Sequence, residues 1–303
     1  VARTRFVGDS GLTARMTLVM FLLGGLFVVL VVGLALAVRS PALGLVIGVV
    51  GIGIAIYQWA RSDVVAMRAM RAREVTPAEA PELHGMVERL CALADMPKPR
   101  VGVADTPVPN AFATGRSPDR AVVCVTTGIL QLLTAEELEG VLAHELSHVA
   151  HRDVLVMTVA SSAGIAAGTL SQGARFGGLG MMGGGRRDNR NGLPVWVLVL
   201  FLSLLVYAVS FLLLRLLSRY RELSADRAGA YLTLQPGHLA SALQKIAGGV
   251  ERSPQQDLRE VAAGSALCIT PMSLGGLTST HPPLQRRLEQ LARIERDLAA
   301  PGA

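Results

Sequence analysis

The stretch TAEELEGVLAHELSHVAHRD, residues 134–153, decides how the rest of the chain is read. Thr134 with Glu137 three residues on is a capping box, in which the N-cap hydroxyl accepts from the N3 amide and the N3 carboxylate accepts from the N-cap amide. A helix therefore starts there and runs to about Arg152. Inside it, His144-Glu145-Leu146-Ser147-His148 is an HExxH pattern. Residues four apart share a helix face about one turn apart, so both imidazoles can reach one Zn2+ at roughly 2.0 to 2.1 Å, with Glu145 placed beside a water on that metal. The competing reading, a solvated face of His and Glu, fits the capped helix less well.

Catalytic zinc normally takes three protein ligands and leaves a fourth position open. Two candidates for the third ligand follow. His151 lies on roughly the same face as His144 and His148, yet three ligands from one straight helix give poor tetrahedral geometry. Glu222, in Glu222-Leu-Ser-Ala-Asp226, shares a helix face with Asp226. Glu222 can complete a His2Glu set while Asp226 accepts a hydrogen bond from the other ring nitrogen of a zinc-bound histidine. Read alone, Glu222 and Asp226 are an ordinary surface pair beside Arg221 and Arg227.

Working outward, the chain is too apolar to be water-soluble throughout: 303 residues, 51% hydrophobic, 17% charged, mean hydropathy +0.44. Four uncharged segments, Met16–Val38, Pro41–Ala60, Val154–Leu170 and Leu193–Leu214, read as membrane helices, because about 20 residues at 1.5 Å each cross a hydrocarbon core about 30 Å thick. Val154–Leu170, rich in Ala, Gly and Ser, is the shortest and reads also as a buried core helix or a re-entrant segment. Arg3, Arg5 and Arg15 precede the first segment, and Arg61, Arg68, Arg71 and Arg73 follow the second, which sets both ends of this hairpin on the cytoplasmic side. The net charge of +6 is thus Arg beside membrane spans. Only 4% of residues are aromatic and no basic run interleaves with them, which excludes a nucleic-acid partner. Cys91, Cys124 and Cys268 are scattered and odd in number, so no disulfide framework or thiolate metal site is indicated.

In the water-facing parts, apolar Leu83, Met86, Val87 and Leu90 form a helical face ending before Pro97. Val101–Ala104 and Ala121–Thr126, separated by the turn-rich 105–120, predict a small antiparallel sheet with an exposed edge near Val122–Val125, where Val123 would meet an extended peptide. Further helices are expected over Ser218–Leu234, from Pro236 to about Ala247, and over Pro282–Leu298. His84 and His238 read as ordinary surface residues.

Four motifs together closely resemble the HtpX family of membrane zinc metallopeptidases, gluzincins related to the CAAX prenyl proteases and the Oma-type mitochondrial proteases. They are HELSH at 144–148 followed by Arg152-Asp153, SRYRELSAD at 218–226, Asn110-Ala-Phe-Ala-Thr-Gly115 and Thr280-His-Pro-Pro-Leu284. The resemblance runs from about Met16 to Leu291. It implies that His144, His148 and Glu222 bind one Zn2+ per subunit, that Glu145 is the general base and that Asp226 supports the ligands. It also implies that Asn110 and the strand after it hold substrate backbone, and that His281 assists the oxyanion. Arg286 is a further cation available to the oxyanion, and Asp153 braces the metal helix. Asn110 after Pro109 has a simpler reading as a turn residue, and His281 before Pro282-Pro283 one as a helix-boundary residue.

The expected molecule is a mainly α integral membrane protein with four transmembrane helices and a zincin-type catalytic domain, α-helical with a small antiparallel β-sheet. The expected divisions are a transmembrane hairpin at 1–61, the first part of the catalytic domain at 62–153, a second hairpin with a Gly-rich loop at 154–217, and the rest of the catalytic domain at 218–303. The resemblance implies a multi-pass plasma-membrane endopeptidase with a cytoplasmic active site, cleaving unfolded or damaged membrane proteins. Its rivals are a processing protease for a specific peptide or prenylated substrate and a non-catalytic membrane scaffold. The uncharged spans argue against an ion pathway.

Overall fold

A computed structural model describes residues 10–37, 41–153, 156–157, 195–253 and 281–300. The expected third span, the Gly-rich loop and most of 250–279 lie almost wholly outside them. The chain divides into two compact units, one of Val1–Leu12, Ala60–Leu155 and Ser218–Ala303, the other of Thr13–Trp59 and Val156–Leu217.

The second unit holds most of α1 (Ser10–Ala37), α2 (Pro41–Ala60) and the first part of α7 (Val195–Thr233). The 28 residues of α1 reach about 42 Å at 1.5 Å each, enough to cross a bilayer. Among the described residues, Ser10–Leu36 and Val197–Thr233 are the two helices long and apolar enough to span, and only 17% of the most apolar window of each is buried. Both suggest a membrane location. Phe21 (77% exposed), Leu36 (72%) and Phe201 (66%) turn outward, as lipid-facing side chains do. Leu30, Leu34 and Val206 are buried together where α1 meets α7. Of the four expected spans, α2 keeps an apolar composition over 20 residues, and the third lies outside the described residues.

The sequence pattern separates a span ending at Leu214 from a helix starting at Ser218. The structure corrects this to the single helix α7, 39 residues and about 58 Å long. No proline occurs between Pro194 and Pro236, so nothing interrupts the backbone hydrogen bonds where the composition changes from apolar to charged.

In the first unit, α3 (Ser62–Ala69) leads into β1 (Ala72–Glu74), followed by α4 (Pro81–Ala94), β2 (Arg100–Ala104), β3 (Ala111–Thr114), β4 (Val122–Thr126), α5 (Thr127–Leu132) and α6 (Ala135–Ala150). After α7 come α8 (Pro236–Arg252) and α9 (Leu284–Ala299). The described strands form one sheet in the order β1-β2-β4-β3. β1 pairs with β2 and β3 with β4 antiparallel, whereas β2 and β4 run parallel from Arg100↔Val122 to Ala104↔Thr126. The expected antiparallel sheet is therefore mixed, because β3, four residues inside the turn-rich stretch, occupies the place beside β4.

The same order corrects the expected edge. Val123 pairs with Val101 on one side and Ala113 on the other and is fully buried. No substrate can add a strand there; among the described strands, the edge on this side is β3. The helix α6 lies against β3 and β4, with α4 and α8 also packed on it, around a core that includes Leu142, Leu146, Val125, Ile129, Leu243 and Ile246. His84, expected at the surface, is buried, with Nε2 2.9 Å from the Val75 carbonyl.

Candidate active site

The capping box forms as the sequence demands. The Thr134 amide donates to Glu137 Oε2 at 3.0 Å, and the Glu137 amide donates to Thr134 Oγ1 at 3.3 Å. Glu137 also accepts from Ser241 Oγ at 2.6 Å and from Lys245 Nζ at 2.8 Å. One carboxylate thus starts α6 and ties it to α8. Two and three turns further on, His144 and His148 stand one turn apart on the same face, both buried.

Glu222, Asp226 and Gly229 recur at helical spacing on the α7 face that meets α6. A Cβ on Gly229 would lie 3.0 Å from the His144 backbone nitrogen, so glycine lets the two helices approach closely. The approach brings His144 Nε2 to 3.6 Å from Glu222 Oε2, His148 Nε2 to 3.6 Å from Glu222 Oε1, and the two Nε2 atoms to 3.3 Å from each other. Among the described residues, His144, His148 and Glu222 are the group that could hold a metal ion. Ligands at about 2.0 to 2.1 Å around a tetrahedral ion stand about 3.3 to 3.4 Å apart, close to these separations. His151, the rival third ligand, is the C-cap of α6 and is not in that group.

The other ring nitrogens face carboxylates. His148 Nδ1 is 2.6 Å from Asp153 Oδ2, and His144 Nδ1 is 3.0 Å from Asp226 Oδ1. A carboxylate at Nδ1 keeps the proton there and turns the Nε2 lone pair toward the shared centre. Burial disfavours a charged His144, but Asp226 and Glu222 outweigh it and raise its pKa to about 9. At His148 burial prevails and the pKa is lowered. Glu145, between the two histidines in sequence, is buried, and burial pushes its carboxyl up to about 8, opposed by His144 and by a backbone hydrogen bond from Ala113 of β3.

Sequence reasoning missed Arg287. It is 1% exposed and grips Asp226 with two donors, Nε to Oδ2 at 2.7 Å and Nη2 to Oδ1 at 2.6 Å, with Nη1 3.8 Å from Glu222 Oε2. Arg286, the cation named from sequence, is exposed and takes no part. The missed signal is the stripe Arg287, Leu291, Ile294 on α9, all buried, since an arginine in register with core residues requires a buried acid. His281 is buried with Nδ1 3.0 Å from Glu222 Oε2. Asn110 is also buried, and its backbone is tied to Thr126: its N–H donates to Thr126 Oγ1 at 2.9 Å and its carbonyl accepts the Thr126 N–H at 2.9 Å. This fixes the start of β3 beside the end of β4.

Four buried carboxylates, Glu145, Asp153, Glu222 and Asp226, face two guanidiniums, Arg221 and Arg287. With Glu145 protonated, as a carboxyl near 8 is at neutral pH, and with neutral imidazoles, one negative charge stays uncompensated, which suits a cation. Two imidazoles and a carboxylate around a helix-borne glutamate, beside a sheet edge, are the working parts of a metallopeptidase.

Comparison with known proteins agrees. The profile of Peptidase family M48 matches residues 77–295, and the chain belongs to that family. It is 51% identical over 308 residues to Protease HtpX homolog 1 of Streptomyces coelicolor, covering 99% of both chains. It is 49% identical to a Protease HtpX homolog of Moorella thermoacetica, covering 98% of both. Among solved structures it shares the fold of S. mikatae Ste24p, with a TM-score of 0.54 at 18% identity over 92% of this chain and 65% of that one.

Proposed function

We propose that the chain is a zinc-dependent endopeptidase of the plasma membrane that cleaves unfolded or damaged membrane proteins. In this reading it is multi-pass, and its catalytic domain, residues 62–153 and 218–303 interrupted by 154–217, faces the cytoplasm. The observation that carries it is the convergence of two imidazole Nε2 atoms, 3.3 Å apart, on the Glu222 carboxylate, each 3.6 Å from one of its oxygens, in a helix that also carries Glu145. His144, His148 and Glu222 are the ligands of one zinc ion. Zinc bound there supplies a Lewis acid that polarises the scissile carbonyl and brings the pKa of water down to about 7.

The chain's own residues do the rest. Glu145, with a carboxyl near 8 before any cation binds, takes the proton from the attacking water and returns it to the leaving amine. The free edge of β3, four residues held in place by Asn110 and Thr126, takes an extended substrate as an added strand. That mode reads backbone more than side chains and so admits polypeptides that have lost their fold. Arg287, next to Glu222, supplies positive charge near the developing oxyanion, and His281, also next to Glu222, a ring nitrogen able to hydrogen-bond to it.

The decisive experiment compares wild type with Glu145→Gln, purified in detergent, for zinc content and for hydrolysis of an unfolded protein. The expected result is about one zinc in each and hydrolysis reduced by at least about 10²-fold in the variant, the scale of a lost general base. Full hydrolysis by Glu145→Gln would refute the assignment.

A further inference from the structure

The two ligand histidines are each backed by an aspartate, and each aspartate by an arginine. Behind His144 stand Asp226 and Arg287. Behind His148 stand Asp153 and Arg221: Arg221 Nε is 2.9 Å from Asp153 Oδ2, the same oxygen that lies 2.6 Å from His148 Nδ1. We propose that Arg221 is a positioning residue that acts through Asp153 to hold the His148 ring in its metal-binding orientation. This rests on the metal-site reading above and extends it to a residue outside the ligand set.

Three observations carry the proposal. The first is how Asp153 reaches His148. The helix α6 stops at Ala150, and Arg152 adopts the left-handed conformation with φ 56°. Non-glycine residues enter that region at a cost, and it turns the chain sharply at a helix end. Asp153 is thereby returned to His148, five residues earlier. The second is burial. Asp153 is 1% exposed and the Arg221 side chain 11%, so the carboxylate has no water to share its charge. Its carboxylate meets His148 and Arg221 at Oδ2, and His151 adds a weaker electrostatic contribution.

The third is the contrast between the two chains of contacts. Arg287 grips both oxygens of Asp226, which fixes that carboxylate's plane without help. Arg221 meets a single oxygen of Asp153, at ion-pair distance but without the alignment of a hydrogen bond. Among the described residues, Arg221 is thus the one guanidinium that holds Asp153 against His148, and it does so through the same oxygen that meets the imidazole. Arg221 also neighbours Glu222 on α7, so a single turn of helix presents the third ligand to the metal and the brace to the second ligand.

The test uses the full chain in detergent, stripped of metal, with zinc affinity read by competition against a chelating dye. Arg221→Met should bind zinc about 10- to 100-fold more weakly, as expected for loss of a group supporting a ligand, and Arg221→Lys should recover part of the loss. Asp153→Asn should weaken binding similarly, and adding Arg221→Met to it should weaken binding little further, because the arginine acts through the aspartate. In the metal-free protein, the ring-nitrogen resonances of His148 should move from one Nδ1–H tautomer toward a mixture in Arg221→Met, a change that loss of general packing would not cause. Wild-type affinity in Arg221→Met, or fully additive losses in the double variant, would overturn the proposal. His148→Ala separates the two levels: zinc lost there beside wild-type affinity in Arg221→Met overturns the proposal alone, whereas zinc retained in His148→Ala overturns the metal site and the proposal with it.

Discussion

Replacing Gly229 by alanine tests the close approach on which the site depends, and its sign is opposite to the usual one. In a helix interior, Gly→Ala stabilises by about 0.8 to 1.0 kcal/mol through backbone entropy. Gly85, in α4, has nothing within 4 Å of an added Cβ, so Gly85→Ala should show that gain undiminished. At Gly229 the added Cβ would meet three backbone atoms, His144 N at 3.0 Å, His144 Cα at 3.2 Å and the Ala143 carbonyl carbon at 3.3 Å. Carbon contacts are comfortable at about 3.5 to 4.0 Å, and backbone cannot rotate away, so α6 and α7 must separate by a few tenths of an ångström. Overpacking of this kind costs about 1 to 3 kcal/mol, which exceeds the helix gain and leaves a net loss of about 0 to 2 kcal/mol. The same displacement spreads donors now 3.3 to 3.6 Å apart, while a metal site tolerates about 0.2 Å. Thermal midpoints and zinc affinity of the two variants, measured side by side, should therefore diverge: Gly85→Ala higher in midpoint with affinity unchanged, Gly229→Ala lower in both. A Gly229→Ala variant that gains stability like Gly85→Ala and binds zinc as tightly as wild type would refute the reasoning.

Glu137→Ala should lose about 2 to 4 kcal/mol in denaturant unfolding, combining a lost capping box with charge-assisted bonds from Ser241 and Lys245, the latter discounted because Lys245 is 41% exposed. Burial works against the Glu137 carboxylate, but Lys245 and Ser241 hold its pKa below the ordinary 4.5; its stabilisation is full above about pH 4.5 and lost as pH falls through the lower folded value, so wild type should lose stability in acid faster than Glu137→Gln. Cys91 and Cys124 are buried, and burial pushes their thiols up to about 11 and about 12. Both should resist iodoacetamide at pH 8 until the protein unfolds, and labelling of either in the native state by peptide mass spectrometry would contradict that burial.

Much of the candidate metal-binding face was legible in the sequence because it is local. Thr134 and Glu137 set the start of α6, and the spacing of His144 and His148 follows from helical geometry alone. Glu222 needed a family resemblance, since a Glu/Asp pair at helical spacing is common on any surface. Arg287 was legible in principle, standing in register with Leu291 and Ile294, but a cation invites a surface reading. The sheet was legible only in part, for a physical reason. β3 is Ala-Phe-Ala-Thr, too short and too weak in β propensity to stand out from the turns around it, and it forms because Asn110 and Thr126 bond to each other and Ala113 pairs with Val123. Strand order is a property of distant partners, and composition does not record it.

The displaced edge has a chemical consequence. Had β4 been the edge, an added substrate strand would lie on the side of the sheet where β3 now runs, one strand spacing of about 4.8 Å nearer the sheet centre. With β3 at the edge, the strand proposed to receive substrate is the strand against which α6 packs and the one whose Ala113 backbone bonds to Glu145. The carboxylate proposed to move the proton and the backbone proposed to hold the peptide are therefore adjacent in the fold, although 32 positions separate Ala113 from Glu145 in the sequence. Precise placement of the scissile bond is worth orders of magnitude in rate. In the proposed mode it would come from two rigid elements meeting, the capped helix α6 and a strand bonded to its neighbour along its inner side, with no loop between them to set the distance.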